Sequence, residues 1–323
     1  MKAIVQDVYG PPDVLELRDI ARPTIGDEDV LLRVQAAGVD PGVWHLMTGL
    51  PRLVRIMGVG LRAPKVRTPG MDVAGRVEAV GRNVTAWRPG DEVFGACERS
   101  FAEYASAPAD RLARRPVNLT PVQAAAVPTS ALTALQGLRD TGGIRPGQQV
   151  LIIGASGGVG SFAVQLARAF DATVTGVCST PKLDLVRSLG AEDVIDYTRE
   201  DFADGVRRYD LILDTAGRRS LSHLRRALAP RGTLVIVGGE GGGPWLGGVD
   251  RQLRAFVLSF FIGQSLRSFI ASVRREDLET LRDLIEAGKV MPVIDRTYAL
   301  REVPDAIRYL AGGHARGKIV ITM

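Results

Sequence analysis

A glycine-rich turn that follows an apolar run is the part of this sequence whose residues best suit a chemical role. Residues 150–160 read VLIIGASGGVG, a GxGxxG-like pattern with Ala155 at the first glycine position and Gly157 and Gly160 at the other two. Small residues let backbone N–H groups at a helix N-terminus approach a pyrophosphate. A purely structural turn is the alternative, but the flanking strand and helix favour a dinucleotide site. The predicted pyrophosphate residues are Ser156, Gly157, Gly158, Val159 and Gly160.

The end of the next strand indicates which dinucleotide binds. An acidic residue about 20 positions beyond the glycines would hold the ribose 2′-hydroxyl of NADH, whereas residues 177–182 read VCSTPK and contain no carboxylate. The Ser179 hydroxyl and the Lys182 ammonium suit a 2′-phosphate, which needs donors and positive charge. In the alternative, Ser179 caps a helix beginning at Pro181 and Lys182 is solvated. The sequence favours NADPH over NADH.

Cysteine and histidine are too few and too scattered for a metal centre. The two cysteines, Cys97 and Cys178, are far apart, as are the three histidines, so neither a disulfide framework nor a structural zinc site is predicted. The 41 basic and 36 acidic residues give a net charge of +5 over 323 residues, which is too small to indicate a nucleic-acid partner.

The elements that must position these residues fall into three segments. Up to about residue 115, alternating or β-branched runs between Gly- and Pro-containing turns predict an antiparallel β domain. From about residue 120, apolar strands alternate with helices, which predicts a doubly wound parallel sheet. We infer that the tail rejoins the first domain. The predicted class is α/β, with domains at 1–120, 121–265 and 266–323. The predicted strands of the middle segment are 149–153, 173–178, 193–196, 210–214 and 233–237, and its predicted helices are 121–138, 160–170, 181–189 and 219–228.

No segment indicates a membrane span or a signal peptide. The longest apolar run, 255–263, reads AFVLSFFIG, far short of the ~20 residues that a spanning helix needs. The N-terminus lacks the apolar region of a signal peptide. We expect a cytoplasmic protein with no membrane partner. Residues 238–243 (GGEGGG) predict a flexible loop after a strand.

Several separate motifs, in order, resemble the medium-chain dehydrogenase/reductase superfamily over the whole chain, and within it the zinc-independent quinone oxidoreductases. The motifs are 38–41 (GVDP), 69–77 (PGMDVAGRV), 88–93 (RPGDEV), the turn 155–160 and 314–321 (HARGKIVI). The resemblance implies a GroES-like catalytic domain joined to a Rossmann domain. It also implies hydride transfer from NADPH to a quinone or another electron-poor acceptor.

The same resemblance implies that no zinc is used. Zinc alcohol dehydrogenases of this superfamily carry a Cys where this chain has Val39 or Asp40, a His-Glu pair where it has Met71 and Asp72, and a four-Cys lobe after about residue 90. This chain has none of these. Without a Lewis acid to lower the pKa of an alcohol, plain alcohol oxidation is disfavoured.

The resemblance also implies further contacts to the cofactor. Tyr197 would join Ser179 and Lys182 around the adenosine phosphate. The other implied contacts are Thr133, Val237, Gly238, Phe261, Ile262 and Lys318, the last near the ribose or the acceptor. The alternative for Tyr197 and Thr133 is core packing with a satisfied hydroxyl, and for residues 261–262 it is a plain sheet core.

The acceptor pocket is expected between the domains, against Asp40, Trp44 and His45. A planar quinone would stack on Trp44, while Asp40 would orient neighbouring polar groups. His45 reads either as a surface histidine or as a proton donor. Many relatives carry a tyrosine a few residues after the position of Asp40, where this chain has Met47, Leu50 and Pro51. The identity of the acceptor therefore stays open.

Two other functions fit the sequence. One is an NADPH-dependent reductase of α,β-unsaturated aldehydes or ketones, which differs only in the acceptor. The other, of a different class, is a non-catalytic NADPH-binding sensor or RNA-binding protein. The resemblance further implies a homodimer, for which the apolar run 255–263 could supply a sheet edge.

Overall fold

The computed structural model describes residues 1–238, 243 and 245–323, which form two compact units. The N-terminal unit contains residues 1–132, 273–288 and 292–323, and the parallel-sheet unit contains residues 133–272 and 289–291. The α/β class predicted from the sequence, with an antiparallel and a parallel sheet, is confirmed. The loop predicted at 238–243 lies, except for Gly238 and Gly243, outside the described residues.

Fifteen strands are found in the described part of the chain. They are β1 (Lys2–Val5), β2 (Glu16–Asp19), β3 (Asp29–Val39), β4 (Asp72–Val80), β5 (Glu92–Ala96), β6 (Tyr104–Pro108), β7 (Leu112–Arg114), β8 (Gln149–Ile153), β9 (Thr173–Cys178), β10 (Asp193–Asp196), β11 (Tyr209–Asp214), β12 (Leu228–Ile236), β13 (Ser265–Ser268), β14 (Ile294–Ala299) and β15 (Lys318–Thr322).

The helices of the described residues are mostly short. They are α1 (Pro41–Thr48), α2 (Pro121–Ala125), α3 (Pro128–Gln136), α4 (Gly158–Ala169), α5 (Leu183–Ser188), α6 (Leu221–Ala227), α7 (Val249–Ser259), α8 (Arg275–Glu286) and α9 (Val303–Ala311). Short 3₁₀ turns at Pro12–Val14, Ala109–Arg111, Thr180–Lys182 and Leu300–Glu302 and π turns at Arg55–Val59 and Gly137–Thr141 complete the set. None of these helices is both long and apolar enough to cross a bilayer.

The N-terminal unit is built on a seven-stranded sheet. Its order is β14-β15-β3-β4-β5-β7, and β6 also pairs with β3. All pairs are antiparallel except β14 and β15, which run parallel. β3 is the centre of this sheet, and its alternating buried residues Val30, Leu32 and Val34 pack into the core while the residues between them face outward. Residues 318–322 therefore sit inside the sheet rather than at its edge.

The parallel-sheet unit has six strands in the order β10-β9-β8-β11-β12-β13, all parallel. Four of the five residues of β8 are buried, as expected for a strand covered by helices on both faces. The chain order reverses between β8 and β11, and ligands of open α/β sheets bind in the crevice at the carboxyl ends of the strands where this happens.

Several predicted boundaries are confirmed and others change. β8, β9 and β10 have the predicted residues. The predicted helix 121–138 is instead α2, α3 and a π turn, because Pro128 lacks the N–H that a continuous helix would need. The predicted helix 181–189 begins as a 3₁₀ turn and becomes helical only at Leu183.

The apolar run 255–263 was expected to form sheet core or a sheet edge, and this prediction is wrong. Its first half is the end of α7, and β13 is the edge strand. Ala255 is buried, whereas four apolar side chains spaced i, i+3, i+4 and i+7 are exposed by 55–72%. These outward residues, named here the α7 stripe, are Leu253, Phe256, Val257 and Phe260.

We propose that this protein forms a homodimer through the α7 stripe and β13. An exposed apolar helix face beside a bare strand edge favours association. Light scattering should then give about twice the chain mass of 34.7 kDa. The double variant Phe256→Ser/Phe260→Ser should shift the protein toward monomer, while the matched control Val117→Ser, at a residue 86% exposed in the N-terminal unit, should not. A monomeric wild-type chain at micromolar concentration would contradict the proposal.

Candidate functional site

The glycine turn joins β8 to α4 and is held tightly by backbone contacts. Gly154 has φ +82°, a left-handed conformation that favours glycine. The N–H groups of Gly154 and Ala155 both donate to the Val177 carbonyl, at 3.1 Å each, which ties the turn to β9. A Cβ on Gly160 would lie 2.1 Å from the Gly154 carbonyl oxygen. The turn therefore needs glycine at both Gly154 and Gly160. The sequence analysis assigned Gly160 to the site but not Gly154.

The first turn of α4 presents backbone donors. Gly157 is the N-cap residue, and no side chain caps the helix there. The first N–H groups of a helix have no intrahelical partner and carry partial positive charge, so they suit an anion. Ser156 is buried, while residues 157–159 are half-buried. The predicted residues 156–160 are thus contiguous at the N-terminus of α4, where backbone N–H groups suit an anion.

The structure brings Ser179, Lys182 and Tyr197 to neighbouring strand ends. Ser179 follows β9, and Lys182 closes the 3₁₀ turn that begins there. Tyr197 follows β10, and its N–H donates to the Cys178 carbonyl at 3.1 Å. The Tyr197 side chain is 47% exposed, so the alternative of core packing is wrong for this residue. All three lie at the carboxyl edge of the parallel sheet, as the glycine turn does.

Asp196, at the end of β10, is a carboxylate that the sequence argument did not weigh. It is buried, and it accepts hydrogen bonds from the Thr180 hydroxyl and from the N–H and hydroxyl of Thr198, the last two at 3.0 and 2.7 Å. The hydroxyls of Thr180 and Thr198 hold the pKa of Asp196 below its usual range. The carboxylate is thus ionised but engaged by its own neighbours.

The remaining predicted cofactor residues are more dispersed. Val237 and Gly238 follow β12, and both N–H groups donate to the Asp214 carbonyl at the end of β11. Thr133 is half-buried on α3. Phe261 is 81% exposed, so its alternative as sheet core is wrong, whereas Ile262 packs partly against the core of the parallel-sheet unit.

An ion pair at the same sheet edge was missed by the sequence analysis. The Asp214 side chain is fully buried and accepts from Arg251 and, at 3.1 Å, from the Gly217 N–H. Arg251 lies in the first turn of α7, and two of its three guanidinium nitrogens, Nε and Nη1, have no partner within the described residues. The pair fixes the start of α7 against the end of β11. The partners lie 37 positions apart in the chain, so the sequence around either residue gives no local signal for the pair.

In the N-terminal unit, Asp40 and Lys318 belong to one buried cluster, named here the Lys318 cluster. The Lys318 side chain is 1% exposed. Its ammonium donates to Asp40 Oδ1 and, at 3.0 Å, to Ser130 Oγ, and it lies 3.6 Å from Asp72 Oδ2. Asp72 Oδ1 accepts from the Thr129 N–H and hydroxyl at 3.0 and 2.5 Å. Lys318 is thus the internal partner of Asp40.

The two carboxyl groups of this cluster differ in protonation. Burial raises the pKa of Asp40, but the Lys318 ammonium and hydrogen bonds from Asp72, Lys318 and Ser130 outweigh burial and hold it below its usual range. Burial and the negative charge of Asp40 together raise the pKa of Asp72 well above its usual range. Asp40 therefore loses its proton at a lower pH than Asp72, and between the two pKa values only Asp40 is ionised.

Trp44 and His45, the other predicted acceptor residues, lie on α1. Trp44 is half-buried and packs against the apolar core of the N-terminal unit. His45 Nδ1 lies 2.8 Å from the Leu50 carbonyl oxygen, so this nitrogen carries the proton of the neutral ring and leaves Nε2 as an acceptor. Asp40 stands at the N-cap of the same helix but does not cap it, because its carboxylate is turned to Ser130 and Lys318.

Comparisons with known proteins match this arrangement. The family models described as alcohol dehydrogenase GroES-like domain and zinc-binding dehydrogenase match residues 26–117 and 189–321. The human NAD(P)H oxidoreductase RTN4IP1, mitochondrial, is 34% identical over 364 aligned residues, covering 100% of this chain and 89% of the human one. The NADPH-dependent alkenal/one oxidoreductase, chloroplastic, of Arabidopsis thaliana is 34% identical, covering 99% of this chain and 79% of its own. The solved quinone oxidoreductase of Coxiella burnetii is 29% identical with a TM-score of 0.89, covering 100% of this chain and 99% of its own.

This chain belongs to the quinone oxidoreductase family of the medium-chain dehydrogenase/reductases. The resemblance predicted from the motifs is confirmed, and the protein is an oxidoreductase of this superfamily. As an oxidoreductase of the medium-chain type, it carries its glycine turn in the parallel-sheet unit, at the edge where such sheets hold dinucleotides.

The residues present do not fit the zinc that the name of one matched family model implies. Within the described residues, no three His, Cys, Asp or Glu side chains group together as metal ligands. Asp40 and Asp72 do converge, but on the Lys318 ammonium. Zinc sites of proteins use three or four N, S or O ligands around one cation. Burial raises the pKa of the nearby Cys97 thiol well above its usual range.

Proposed function

We propose that this oxidoreductase transfers a hydride from NADPH to a quinone or a similar electron-poor acceptor. The observation that carries the proposal is the carboxyl edge of the parallel sheet, where an uncapped helix N-terminus and the group Ser179, Lys182 and Tyr197 lie at adjacent strand ends. NADPH, when bound, supplies the hydride, and the acceptor takes up this hydride and one proton.

Each part of this edge has a separate task in the proposal. Residues 156–160 hold the pyrophosphate through backbone N–H groups. Ser179 and Lys182 hold the 2′-phosphate through a hydroxyl and an ammonium. Thr133, Val237, Gly238, Phe261 and Ile262 stay proposed contacts of the nicotinamide half. No side chain is assigned to the proton, because water can protonate the oxygen of a reduced quinone.

On the acceptor side we propose Trp44 as the stacking surface and His45 as its polar neighbour. Asp40 acts only as a positioning residue, because its carboxylate is buried and engaged by Ser130 and Lys318. The protein is proposed to work without zinc. Asp40 and Asp72, which stand at positions that hold zinc ligands in the zinc alcohol dehydrogenases, here surround the Lys318 ammonium.

Lys182→Ala is expected to weaken NADPH binding and spare NADH. One charge-assisted hydrogen bond contributes about 1–2 kcal/mol, which is about 5- to 30-fold in Kd. Fluorescence titration of both cofactors measures this. The matched control is Arg187→Ala, because Arg187 is a nearby cation already paired with Asp184 at 3.0 Å. Equal weakening of NADPH and NADH would refute the assignment.

A panel of acceptors tests the function itself. The expected result is acceptor-dependent loss of NADPH absorbance with quinones. A reductase of α,β-unsaturated carbonyls, which the similarity to an alkenal/one oxidoreductase supports as second candidate, would instead act on alkenals and enones with higher kcat/KM. A protein that quenches NADPH fluorescence but consumes none with any acceptor would be a binder, and the proposal would be wrong.

A further inference from the structure

The Lys318 cluster holds its cation in a cage of oxygen atoms. The ammonium faces Asp40 Oδ1, Ser130 Oγ at 3.0 Å and Asp72 Oδ2 at 3.6 Å. These groups come from four chain segments, namely the end of β3, the start of β4, the first turn of α3 and the start of β15. All are buried. A cage assembled from such distant segments is a built site rather than a chance surface pair.

The cage is also incompletely filled. Apart from the contact that the two carboxyl groups make with each other, Asp40 Oδ2 and Asp72 Oδ2 are buried and have no hydrogen-bond partner among the described residues. A buried carboxylate oxygen without a partner is costly, and such atoms commonly mark a site that a cation can satisfy. Carboxylate and hydroxyl oxygens are ligands for divalent cations, and a carboxylate–zinc distance is about 2.0–2.2 Å.

The ammonium and a divalent ion exclude each other at this place. Both would need the same oxygen of Asp40, and two cations a few ångströms apart in a buried setting repel strongly. We propose that the Lys318 ammonium is the resident cation of this site and stands in place of a metal ion. The wild-type chain then takes no divalent metal here, whereas loss of the lysine side chain leaves a vacant, anionic oxygen site for a small cation.

The experiment compares wild type with Lys318→Ala, a change that removes the ammonium and three methylenes. Zn²⁺ and n-propylammonium are the two probes, since propylammonium replaces the deleted atoms. We expect Lys318→Ala to bind about one Zn²⁺ per chain by equilibrium dialysis and elemental analysis. Its melting temperature should rise with the concentration of either cation, because both bind the folded state only. Propylammonium should displace the bound Zn²⁺, which shows that the two occupy one site.

Two controls separate this site from adventitious binding. Lys289→Ala removes an exposed lysine and should behave as wild type, with no added Zn²⁺ and no rise in melting temperature. The double variant Lys318→Ala/Asp40→Asn keeps the space but loses the ionised carboxylate, and it should bind neither probe. If Lys318→Ala is unfolded without a cation, recovery of its folded spectrum on addition of Zn²⁺ or propylammonium is the same readout.

Three results would overturn the proposal. The first is a Lys318→Ala chain that takes up neither cation, whether it folds or stays unfolded at every concentration. The second is Zn²⁺ binding that propylammonium does not displace. The third is a wild-type chain that purifies with stoichiometric zinc and loses thermal stability when a chelator removes it. None of these measurements uses NADPH or an acceptor. A negative result would therefore overturn the proposal for the Lys318 cluster without bearing on the proposed function.

Discussion

Replacing Lys318 by methionine is expected to lower the free energy of unfolding by about 3–5 kcal/mol, the usual cost of breaking a buried ion pair by removing one partner. Methionine fills most of the volume, so packing changes little, but the Asp40 carboxylate is left buried without its cation. Equilibrium unfolding in urea measures the loss. An unfolding free energy within about 1 kcal/mol of wild type would mean that the pair contributes little.

A second variant separates charge from shape. Lys318→Met/Asp40→Asn removes both charges, and replacement of a whole buried pair is often nearly neutral. We therefore expect the double variant to recover most of the stability that the single variant loses. If the two variants are equally unstable, the loss comes from packing of the lysine stem and not from an unpaired carboxylate.

The two carboxyls of the Lys318 cluster predict opposite pH dependences. The pKa of Asp40 lies below its ordinary 3.8, so its stabilisation is present above that pH and is lost as the pH falls through the folded pKa. The pKa of Asp72 is raised well above 3.8. The stabilisation of the fold by the protonated Asp72 is therefore complete below pH 3.8 and is lost as the pH rises through the folded pKa. The Asp72→Asn variant has no carboxyl to ionise at this position. It should abolish only the loss of stability with rising pH and keep the loss at low pH that comes from Asp40. Urea unfolding midpoints measured across pH test this.

Gly160→Ala is expected to disrupt the glycine turn and, with it, NADPH binding. The added Cβ would lie 2.1 Å from the Gly154 carbonyl oxygen and 2.8 Å from Ala155 Cα. Both are backbone atoms of the turn, so the turn must open and the first N–H groups of α4 must move. Overpacking of this kind costs about 1–3 kcal/mol of stability, and we expect at least about a tenfold loss in NADPH affinity.

Gly157→Ala is the matched control for this turn. Gly157 has φ −83°, which any residue adopts, and its added Cβ would meet only the Gly154 carbonyl oxygen, at an ordinary 3.4 Å. Its melting temperature should therefore stay near that of wild type. If Gly160→Ala melts and binds NADPH as wild type does, the close packing of the turn is not needed for the site.

The sequence predicts the cofactor half of this protein because its signals are local. An apolar strand, small residues and a helix follow one another within 20 residues around Gly157, and the carboxyl ends of parallel strands necessarily meet at one sheet edge. The place of Ser179 and Lys182 at that edge could thus be predicted from their position after one strand. β9 and β10 were predicted to the residue because turn signals bound each of them.

The parts that sequence reasoning missed have no such local signal. Asp40 and Lys318 are 278 positions apart, and nothing in the sequence around a lysine marks it as 1% exposed. The run 255–263 is apolar on every side, so its helical period is hidden, and only tertiary structure decides that Ala255 turns inward and Phe256 outward. Pattern reasoning fails where apolar residues are not confined to one face.

The place of β15 inside the N-terminal sheet has a consequence for how the chain folds as it is made. Residues 319–322 pair with 36–39 on one side, and β14 lies on the other. The sheet therefore cannot close on a nascent chain until residue 322 has left the ribosome, although β3 emerged some 280 residues earlier. Every strand of the parallel sheet lies within residues 149–268. The parallel-sheet unit can thus form first, while β3 still lacks its partner β15. During that interval the unpaired edge of β3 is the surface that chaperones would need to protect.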